Sequence, residues 1–395
     1  MTLPWPTLAF AAFAVLAPTA TFADSAKVSD LVADLQRIQL KIAQGDKAAY
    51  PAQLTQLKAI GAAIAAASPE TWKNKREADS LVIYTLSGGS LADVAALLKG
   101  EAVIESERSL ARGALAYVTN HEADAMALLG EANLTALDAR LAGEIAFARS
   151  VLETKRDVKA AIDLLDWSRL LAPGGLVDEA ALRREIALLA EAKDVTRLAM
   201  LTRQYVTRFA ASLYAADFLR DLAGAVARQG LADDPANYKL LSSAVARLPL
   251  DGRREFLLTL AKSGLISARF AAAAAAATEA LESSKADSPE AMRARLYLAA
   301  SQLFSDAYDA AIADLQTLSA SKLDRSDASL LAAARRAAAE LRIAPDVGVV
   351  NARDPAALGD GDKDKPTGPA LTIEQAQAAL LRTSSLLPTQ NRGSP

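Results

Sequence analysis

Glutamates are the residues in this sequence that could carry out acid–base chemistry, because two carboxyl groups suffice to hydrolyse a glycosidic bond. The candidates are Glu101, Glu105 and Glu185. Each of them lies among neighbouring Arg or Lys residues, which is typical of a solvated helix face with ordinary salt pairs. We therefore predict no catalytic residue at these three positions.

Other familiar reactive groups are also missing from the sequence. The single histidine, His121, lies at a predicted helix start, where the expected role is that of a solvated neighbour of the cap. The chain contains no cysteine, which excludes a thiolate nucleophile, a disulfide and a cysteine-based metal site. It also contains no G-x-S-x-G, H-E-x-x-H, G-x-x-x-x-G-K or calcium-loop motif. The sequence thus predicts no catalytic, cofactor-binding or metal-binding residue.

A group of arginines in one stretch of the chain is the clearest candidate for contact with another protein. Its members are Arg183, Arg184, Arg197, Arg203 and Arg208. Gathered on one helical face, they would attract an acidic partner surface. The alternative interpretation is an ordinary charged face turned to solvent.

Four aromatic residues lie beside these arginines at near-helical spacing: Tyr205, Phe209, Tyr214 and Phe218. Core packing is the simpler interpretation of such a stripe, and the alternative is that Tyr205 or Tyr214 lines a groove. The candidate partner-binding residues are accordingly Arg183, Arg184, Arg203 and Tyr205.

The elements that must hold these residues are predicted to be helices. The 395 residues include 52% apolar but 5% aromatic side chains, and the small residues that dominate favour closely packed helices over strands. Lys and Arg number 44 against 47 Asp and Glu, a net charge of −3. This balance gives no basic surface for nucleic acid and none for an anionic membrane.

The first residues of the chain indicate export. Leu8 to Ala17 form an uninterrupted apolar run that is shorter than the about 20 residues needed to span a bilayer. Thr21-Phe22-Ala23 places small residues before a cleavage point at Asp24, so residues 1–23 are predicted to be a secretory signal peptide. The absence of Lys and Arg before the run departs from that pattern, and a buried apolar helix is the alternative. No later segment is predicted to be transmembrane.

Residues 24–345 are predicted to form one helical-repeat domain. Ser288-Pro289-Glu290 has the composition of a helix start, and two apolar stripes then follow up to Ser319, which indicates a helical hairpin. Ser68-Pro69-Glu70 predicts another start by the same logic. Asp157 to Gly174 and Tyr308 to Ile312 match second helices of tetratricopeptide repeats, without a strict period. We therefore predict an irregular α-solenoid of antiparallel hairpins, tetratricopeptide-like or Sel1-like.

The composition changes after the repeat domain. Residues 346–370 are rich in Pro, Gly, Asp and Lys and are predicted to be a disordered linker. Within residues 371–395, Thr372 and Gln375 resemble a capping box that opens a short tail helix. This helix either docks on a partner or frays in solvent.

Four segments of the chain resemble one known family. They are LVADLQRIQLKIAQG at 31–45, ADSLVIYTLSGG at 78–89, AAIDLLDWSRLLAPGGLVDEAALRREI at 160–186, and RQYVTRFAASLYAADFL at 203–219. Together they are similar to the MotC family, the periplasmic motility proteins of rhizobia and related bacteria. The likeness spans roughly residues 28–342, and its most specific part contains Trp167, Pro173-Gly174 and Arg183-Arg184.

The resemblance implies a function that the residues alone do not. Members of that family are understood to be exported, non-enzymatic proteins that bind the periplasmic part of MotB, the peptidoglycan-anchored stator subunit, and are needed for flagellar rotation. No catalytic residue and no partner-binding residue carries over from the family. The resemblance therefore implies a periplasmic location and the periplasmic domain of MotB as partner, with no cofactor, no small-molecule substrate and no nucleic acid.

Two other functions compete with this one. The first is a general periplasmic scaffold with tetratricopeptide-like repeats that serves envelope or secretion assemblies. The second is a helical enzyme acting on peptidoglycan, which the few aromatic residues and the missing catalytic block make the weaker alternative.

Overall fold

The computed structural model describes residues 27–342, which form seventeen α-helices, three short 3₁₀ helices and no β-strand. The α-helices are α1 (Val28–Ala43), α2 (Ala49–Ala66), α3 (Lys75–Leu86), α4 (Leu91–Leu98), α5 (Glu105–Val118), α6 (Glu122–Gly130), α7 (Ala139–Glu153), α8 (Val158–Leu171), α9 (Leu176–Glu191), α10 (Val195–Phe209), α11 (Ala215–Arg228), α12 (Pro235–Val245), α13 (Leu250–Ile266), α14 (Phe270–Glu282), α15 (Pro289–Gln302), α16 (Tyr308–Thr317) and α17 (Arg325–Arg342). The 3₁₀ helices are Pro69–Lys73, Leu134–Ala136 and Ala320–Lys322. The predicted all-α fold is confirmed.

The helices stack as an α-solenoid. Consecutive helices pair through short connections, as α1 with α2, α7 with α8 and α14 with α15. The odd-numbered helices also pack on the next but one, as α3 on α5 and α11 on α13, and so do some even-numbered helices, as α10 on α12. This two-step pattern lets neighbouring hairpins bury apolar stripes against each other, as repeat architectures require.

The stack is not strictly one-dimensional, because α1 returns to pack on α9. Gly45, just after α1, has φ +93°, and a Cβ atom there would lie 2.3 Å from the carbonyl oxygen of Ala211. The turn after α1 therefore touches the turn between α10 and α11 at a distance that only glycine allows. This contact and the α1–α9 packing join the first helices to the middle of the chain.

Two apolar cores stabilise the two halves of the stack. The first runs from Val28 to Ala148 and contains the fully buried Trp72. The second covers α8 to α17 and contains the fully buried Tyr205 and Tyr297. Helix α9 lies between them, since it contacts α1 and α7 on one side and α10 and α11 on the other.

The predicted hairpin at residues 288–319 is confirmed as α15 and α16. The Ser288 hydroxyl accepts a hydrogen bond from the Ala291 N–H at 3.1 Å, which caps α15 as expected. The alanine run in α14 packs tightly, because a Cβ atom on Gly264 would lie 3.1 Å from the Cβ of Ala273. The run therefore forms a close contact between α13 and α14.

The same start signal at Ser68 was misleading. Residues 69–73 form a 3₁₀ helix, the Ser68 side chain makes no cap bond, and α3 begins later, after an Asn74 cap. Trp72 is 1% exposed, so the chain turns there to bury the indole and interrupts the helix. Between α6 and α7, Leu134–Ala136 likewise form a separate 3₁₀ helix, and Asp138 caps α7.

Three predicted segments lie outside the described residues: the signal peptide at 1–23, the linker at 346–370 and the tail helix at 371–395. Among the helices between residues 27 and 342, none combines the length and apolar composition needed to cross a bilayer.

Candidate functional site

A cavity of about 240 Å³ lies where α1, α7 and the turn between α8 and α9 meet. It is lined by Gln36, Arg37, Gln39, Leu40, Arg140, Glu144, Leu171, Ala172, Pro173, Gly175, Leu176 and Val177. These residues come from three parts of the sequence that the α1–α9 packing brings together. The α8–α9 turn at its wall belongs to the segment at 160–186.

Close packing of α7 on α8 forms one side of the cavity. A Cβ atom on Gly143 would lie 2.6 Å from the Cβ of Ala172, so glycine is needed at this contact. The Ser168 hydroxyl donates to the Gly143 carbonyl at 2.9 Å and ties the end of α8 to α7. Because α7 is helical, Arg140 and Glu144 lie one turn apart on the same face and both reach the cavity.

The α8–α9 turn is held rigidly beside the cavity. Gly174 has φ +88°, which suits glycine, and its N–H donates to the Asp178 carboxylate at 2.6 Å. Asp178 is fully buried and also accepts from the Arg208 guanidinium. This network fixes the turn and places Pro173 in the cavity wall.

Two polar side chains of the cavity lining, Gln39 and Glu144, are almost fully buried. Each is 8% exposed, and neither makes a hydrogen bond within residues 27–342. Burial raises the pKa of the Glu144 carboxyl to about 8, because desolvation disfavours the carboxylate. The cavity lining therefore contains an acid and an amide that bond to no other described residue and whose polar atoms are not sealed from solvent.

Basic residues occupy the rim of this cavity. The Arg140 guanidinium donates to the Gln36 side-chain carbonyl at 2.8 Å, and Arg37 pairs with Asp34 one helical turn away. Gln36 and Arg140 also line a second depression, of about 590 Å³, between α1, α3 and α7. The two depressions therefore adjoin along α1, and together we call them the α1 groove.

The candidate partner-binding residues are not brought together. Arg183 stacks over the Tyr214 ring, 5.0 Å from its centroid, while Arg184 donates to the Thr154 hydroxyl at 2.8 Å. Arg203 is exposed on α10. Tyr205 is fully buried in the core, where it offers no surface to another protein. A role in partner binding stays a prediction for the arginines alone.

Tyr205 instead serves a buried acid, since its hydroxyl donates to one carboxylate oxygen of Glu179 at 2.9 Å. Its ring packs against Phe218 with centroids 4.3 Å apart, and Phe209 lies on its other side at 5.8 Å. The core interpretation of the aromatic stripe is therefore correct for Tyr205, Phe209 and Phe218.

The prediction for Glu185 was wrong. It does not lie on a solvated face but is fully buried between α8 and α10. Its two carboxylate oxygens accept from Arg169 and Arg197 at 2.6 Å each. Burial raises the pKa of the Glu185 carboxyl and the two arginines oppose that rise, so the ion pairs explain how the charge is tolerated. The sequence showed the neighbouring arginines, but not that α9 is enclosed.

The two other glutamates considered for catalysis and the single histidine are exposed. Glu101, Glu105 and His121 all lie on the surface, and Glu105 pairs with Arg108 at 3.2 Å. Over residues 27–342, no group of three His, Asp or Glu side chains is arranged to hold a metal ion. The solvated-face interpretation is correct for these three residues.

Glu144 and Gln39 were missed by sequence reasoning. The available signal for Glu144 was a single acid inside the otherwise apolar run from Leu141 to Ala148. All seven other residues of that run are buried or half-buried, so a glutamate among them has to be buried as well.

Comparison with known proteins agrees with the resemblance drawn from the four segments. The model of the family described as chemotaxis protein MotC matches residues 2–392 of this chain. The chemotaxis protein MotC of Rhizobium meliloti (strain 1021) is 26% identical over 358 residues, which cover 90% of this chain and 79% of that protein. No solved structure matches the chain, so the tetratricopeptide-like label has no structural neighbour to support it.

Proposed function

The chain belongs to the family of chemotaxis protein MotC, and from this membership we propose that it is a periplasmic, non-enzymatic protein that binds the periplasmic part of the stator subunit MotB and supports rotation of the flagellar motor. The observation that carries the proposal is the family match across residues 2–392. The predicted signal peptide at 1–23 would deliver the protein to the periplasm.

The fold is suited to this task. Solenoids of helical hairpins present extended surfaces that hold a segment or a helix of a partner. The α1 groove is such a surface, and its wall includes the α8–α9 turn, which lies in the part of the sequence most similar to the family. Of the three glutamates considered for sugar hydrolysis, Glu101 and Glu105 are exposed, and Glu185 is held in ion pairs with two arginines.

Binding would act on the stator through a population shift. A partner that binds one stator conformation more tightly than another changes their ratio by the ratio of its two affinities. We propose that this protein favours the open or anchored stator state, so that ions flow in an assembled motor. It would supply no torque chemistry of its own.

A binding experiment tests the proposal. The chain from Asp24 onward, with and without residues 346–395, is titrated with the purified periplasmic part of MotB. Saturable binding that survives removal of the tail supports the proposal and assigns the surface to residues 24–345. Binding that is lost with the tail assigns it to the predicted tail helix. An absence of binding in both cases contradicts the proposal and favours the general envelope scaffold.

Two further comparisons sharpen the test. Arg203→Glu should weaken binding if the predicted arginine surface is used, while Arg220→Glu on α11 is the control, since Arg220 is an exposed arginine outside that group. In cells, deletion of the gene should abolish swimming although flagella assemble. A motile deletion strain would refute the role in rotation.

A further inference from the structure

We propose that the cavity formed by α1, α7 and the α8–α9 turn receives one lysine side chain of a protein partner, with the ammonium group bound by Glu144 and Gln39. This inference rests on the proposed function for the identity of the partner, which would be the stator subunit.

Two polar side chains from different helices, Glu144 and Gln39, line the same cavity, and each is 8% exposed. Neither bonds to another described residue, and neither has a polar atom sealed from solvent, so the exposure that they keep faces the cavity. The tertiary fold thus provides hydrogen-bonding groups from two helices that a ligand in the cavity can use.

The acceptor oxygens of Glu144 and Gln39 determine which ligand suits the cavity. An ionised Glu144 offers two acceptor oxygens and Gln39 offers its carbonyl oxygen. An ammonium group has three donors and no acceptor, so these three oxygens match it. A planar guanidinium group needs its acceptors in one plane, whereas a lysine ammonium group is a compact charge that bonds in several directions. The donor set therefore favours lysine over arginine.

The size and the lining of the cavity suit a single side chain. Its volume of about 240 Å³ is below the roughly 300 Å³ at which pockets for drug-sized ligands begin, so a single side chain is the appropriate occupant. Leu40, Leu171, Pro173 and Leu176 provide apolar walls. The four-carbon stem of lysine would pack on these walls while its charged end meets the carboxylate.

The arginines at the rim do not prevent entry of a cation. Arg37 is exposed and paired with Asp34, and Arg140 is exposed and bonded to Gln36. Charges in contact with solvent are screened strongly, whereas a charge at a buried carboxyl is not. The interaction with Glu144 therefore dominates inside the cavity.

The first experiment uses the full chain and a small probe, so that it does not depend on the stator protein. Protein labelled with ¹³C at the glutamate carboxyls is titrated with Nα-acetyl-lysine-N-methylamide and observed by NMR, with the Glu144 resonance assigned from Glu144→Gln. The corresponding norleucine compound controls for the stem, and the arginine compound controls for the charged group. The lysine compound should shift the Glu144 resonance saturably, the norleucine compound should not, and the arginine compound should bind more weakly.

Two variants separate the cavity from the rest of the surface. Glu144→Gln should weaken binding of the lysine compound by at least about tenfold, because it removes a charge-assisted hydrogen bond. Glu131→Gln makes the same chemical change at an exposed position outside the cavity and should bind like the wild type. An unchanged Glu144 resonance, or equal binding of the lysine and norleucine compounds, would overturn the proposal.

The second experiment connects the cavity to the proposed function. Glu144→Gln and Glu131→Gln are compared for binding to the periplasmic part of MotB. A selective loss for Glu144→Gln supports the assignment of the partner, and equal binding overturns that assignment. If the wild type does not bind MotB at all, the proposed function fails while the probe titration still decides whether the cavity accepts lysine.

Discussion

Replacing Glu144 by glutamine should remove a pH-dependent destabilisation of the folded chain. The Glu144 carboxyl is buried without a hydrogen-bond partner among the described residues, and burial raises its pKa from 4.5 to about 8. Arg37 on α1 and Arg140 on α7 line the same cavity, and Tyr117 on α5 interacts electrostatically with Glu144. None of them bonds to Glu144, so desolvation of the carboxylate is the dominant effect.

The sign and size of the effect follow from linkage. Because the folded pKa lies above the unfolded pKa, the folded state holds this proton more tightly. The contribution of Glu144 is therefore most favourable below pH 4.5, declines as the pH rises, and is lost above about pH 8. A shift of about 3.5 pKa units corresponds to about 5 kcal/mol in the free energy of unfolding, lost at about 1.4 kcal/mol per pH unit.

The assay is urea-induced unfolding of the wild type and Glu144→Gln across this pH range. The amide cannot ionise, so the variant should gain stability over the wild type steadily with pH and reach a constant difference above about pH 8. Glu131→Gln should follow the wild type throughout, because Glu131 is exposed. A constant difference between wild type and Glu144→Gln from about pH 5 to about pH 9 would refute the reasoning.

Three further substitutions test other parts of the fold by unfolding measurements, each with a defined comparison. Gly45→Ala should cost more than about 2 kcal/mol of unfolding free energy, because a Cβ atom there meets a carbonyl oxygen at 2.3 Å. Gly88→Ala is the comparison, since Gly88 has a similar φ of +89° but lies in open space, and it should cost about 1–2 kcal/mol. Equal losses would contradict the contact at Gly45. Ser288→Ala should lower the free energy of unfolding by about 1 kcal/mol, because it removes a helix cap. Ser68→Ala should change that free energy by less than about 0.5 kcal/mol, since Ser68 makes no cap bond. The reverse order would show that the caps are misassigned. Tyr205→Phe should cost about 1–3 kcal/mol, because it removes one hydrogen-bond donor from the buried Glu179. The loss should be greater at high pH, where Glu179 is ionised, and a loss that does not change with pH would exclude this explanation.

The comparison of Ser288 with Ser68 shows how far local sequence predicts this fold. Both positions have the sequence Ser-Pro-Glu, and the cap forms at Ser288 alone. At Ser68 the burial of Trp72, which is 1% exposed, determines the path of the chain instead. Local signals therefore predicted most helices, and they failed where a distant apolar contact outweighed the cap.

The site was less predictable than the helices, because burial depends on partners that are far away in sequence. Glu185 has nearby arginines in the sequence, which indicated a solvated face, yet α8 and α10 enclose it completely. The α1 groove joins residues near 36, 140 and 175, and nothing in the sequence pairs those segments. The resemblance to the family did single out the α8–α9 turn, but it named no cavity beside it.

Glu144 connects the stability of the chain to the binding of a ligand through a single proton. In the empty cavity at neutral pH the carboxyl is mostly protonated, since its pKa is about 8. A bound ammonium group needs the carboxylate, so it has to displace that proton, and each pH unit below 8 should reduce its affinity about tenfold. If the unpaired acid is only a packing defect, Glu144→Gln stabilises the fold and changes no ligand binding. If the cavity binds lysine, Glu144→Gln stabilises the fold and also lowers the affinity for the lysine compound. This combination distinguishes the two explanations.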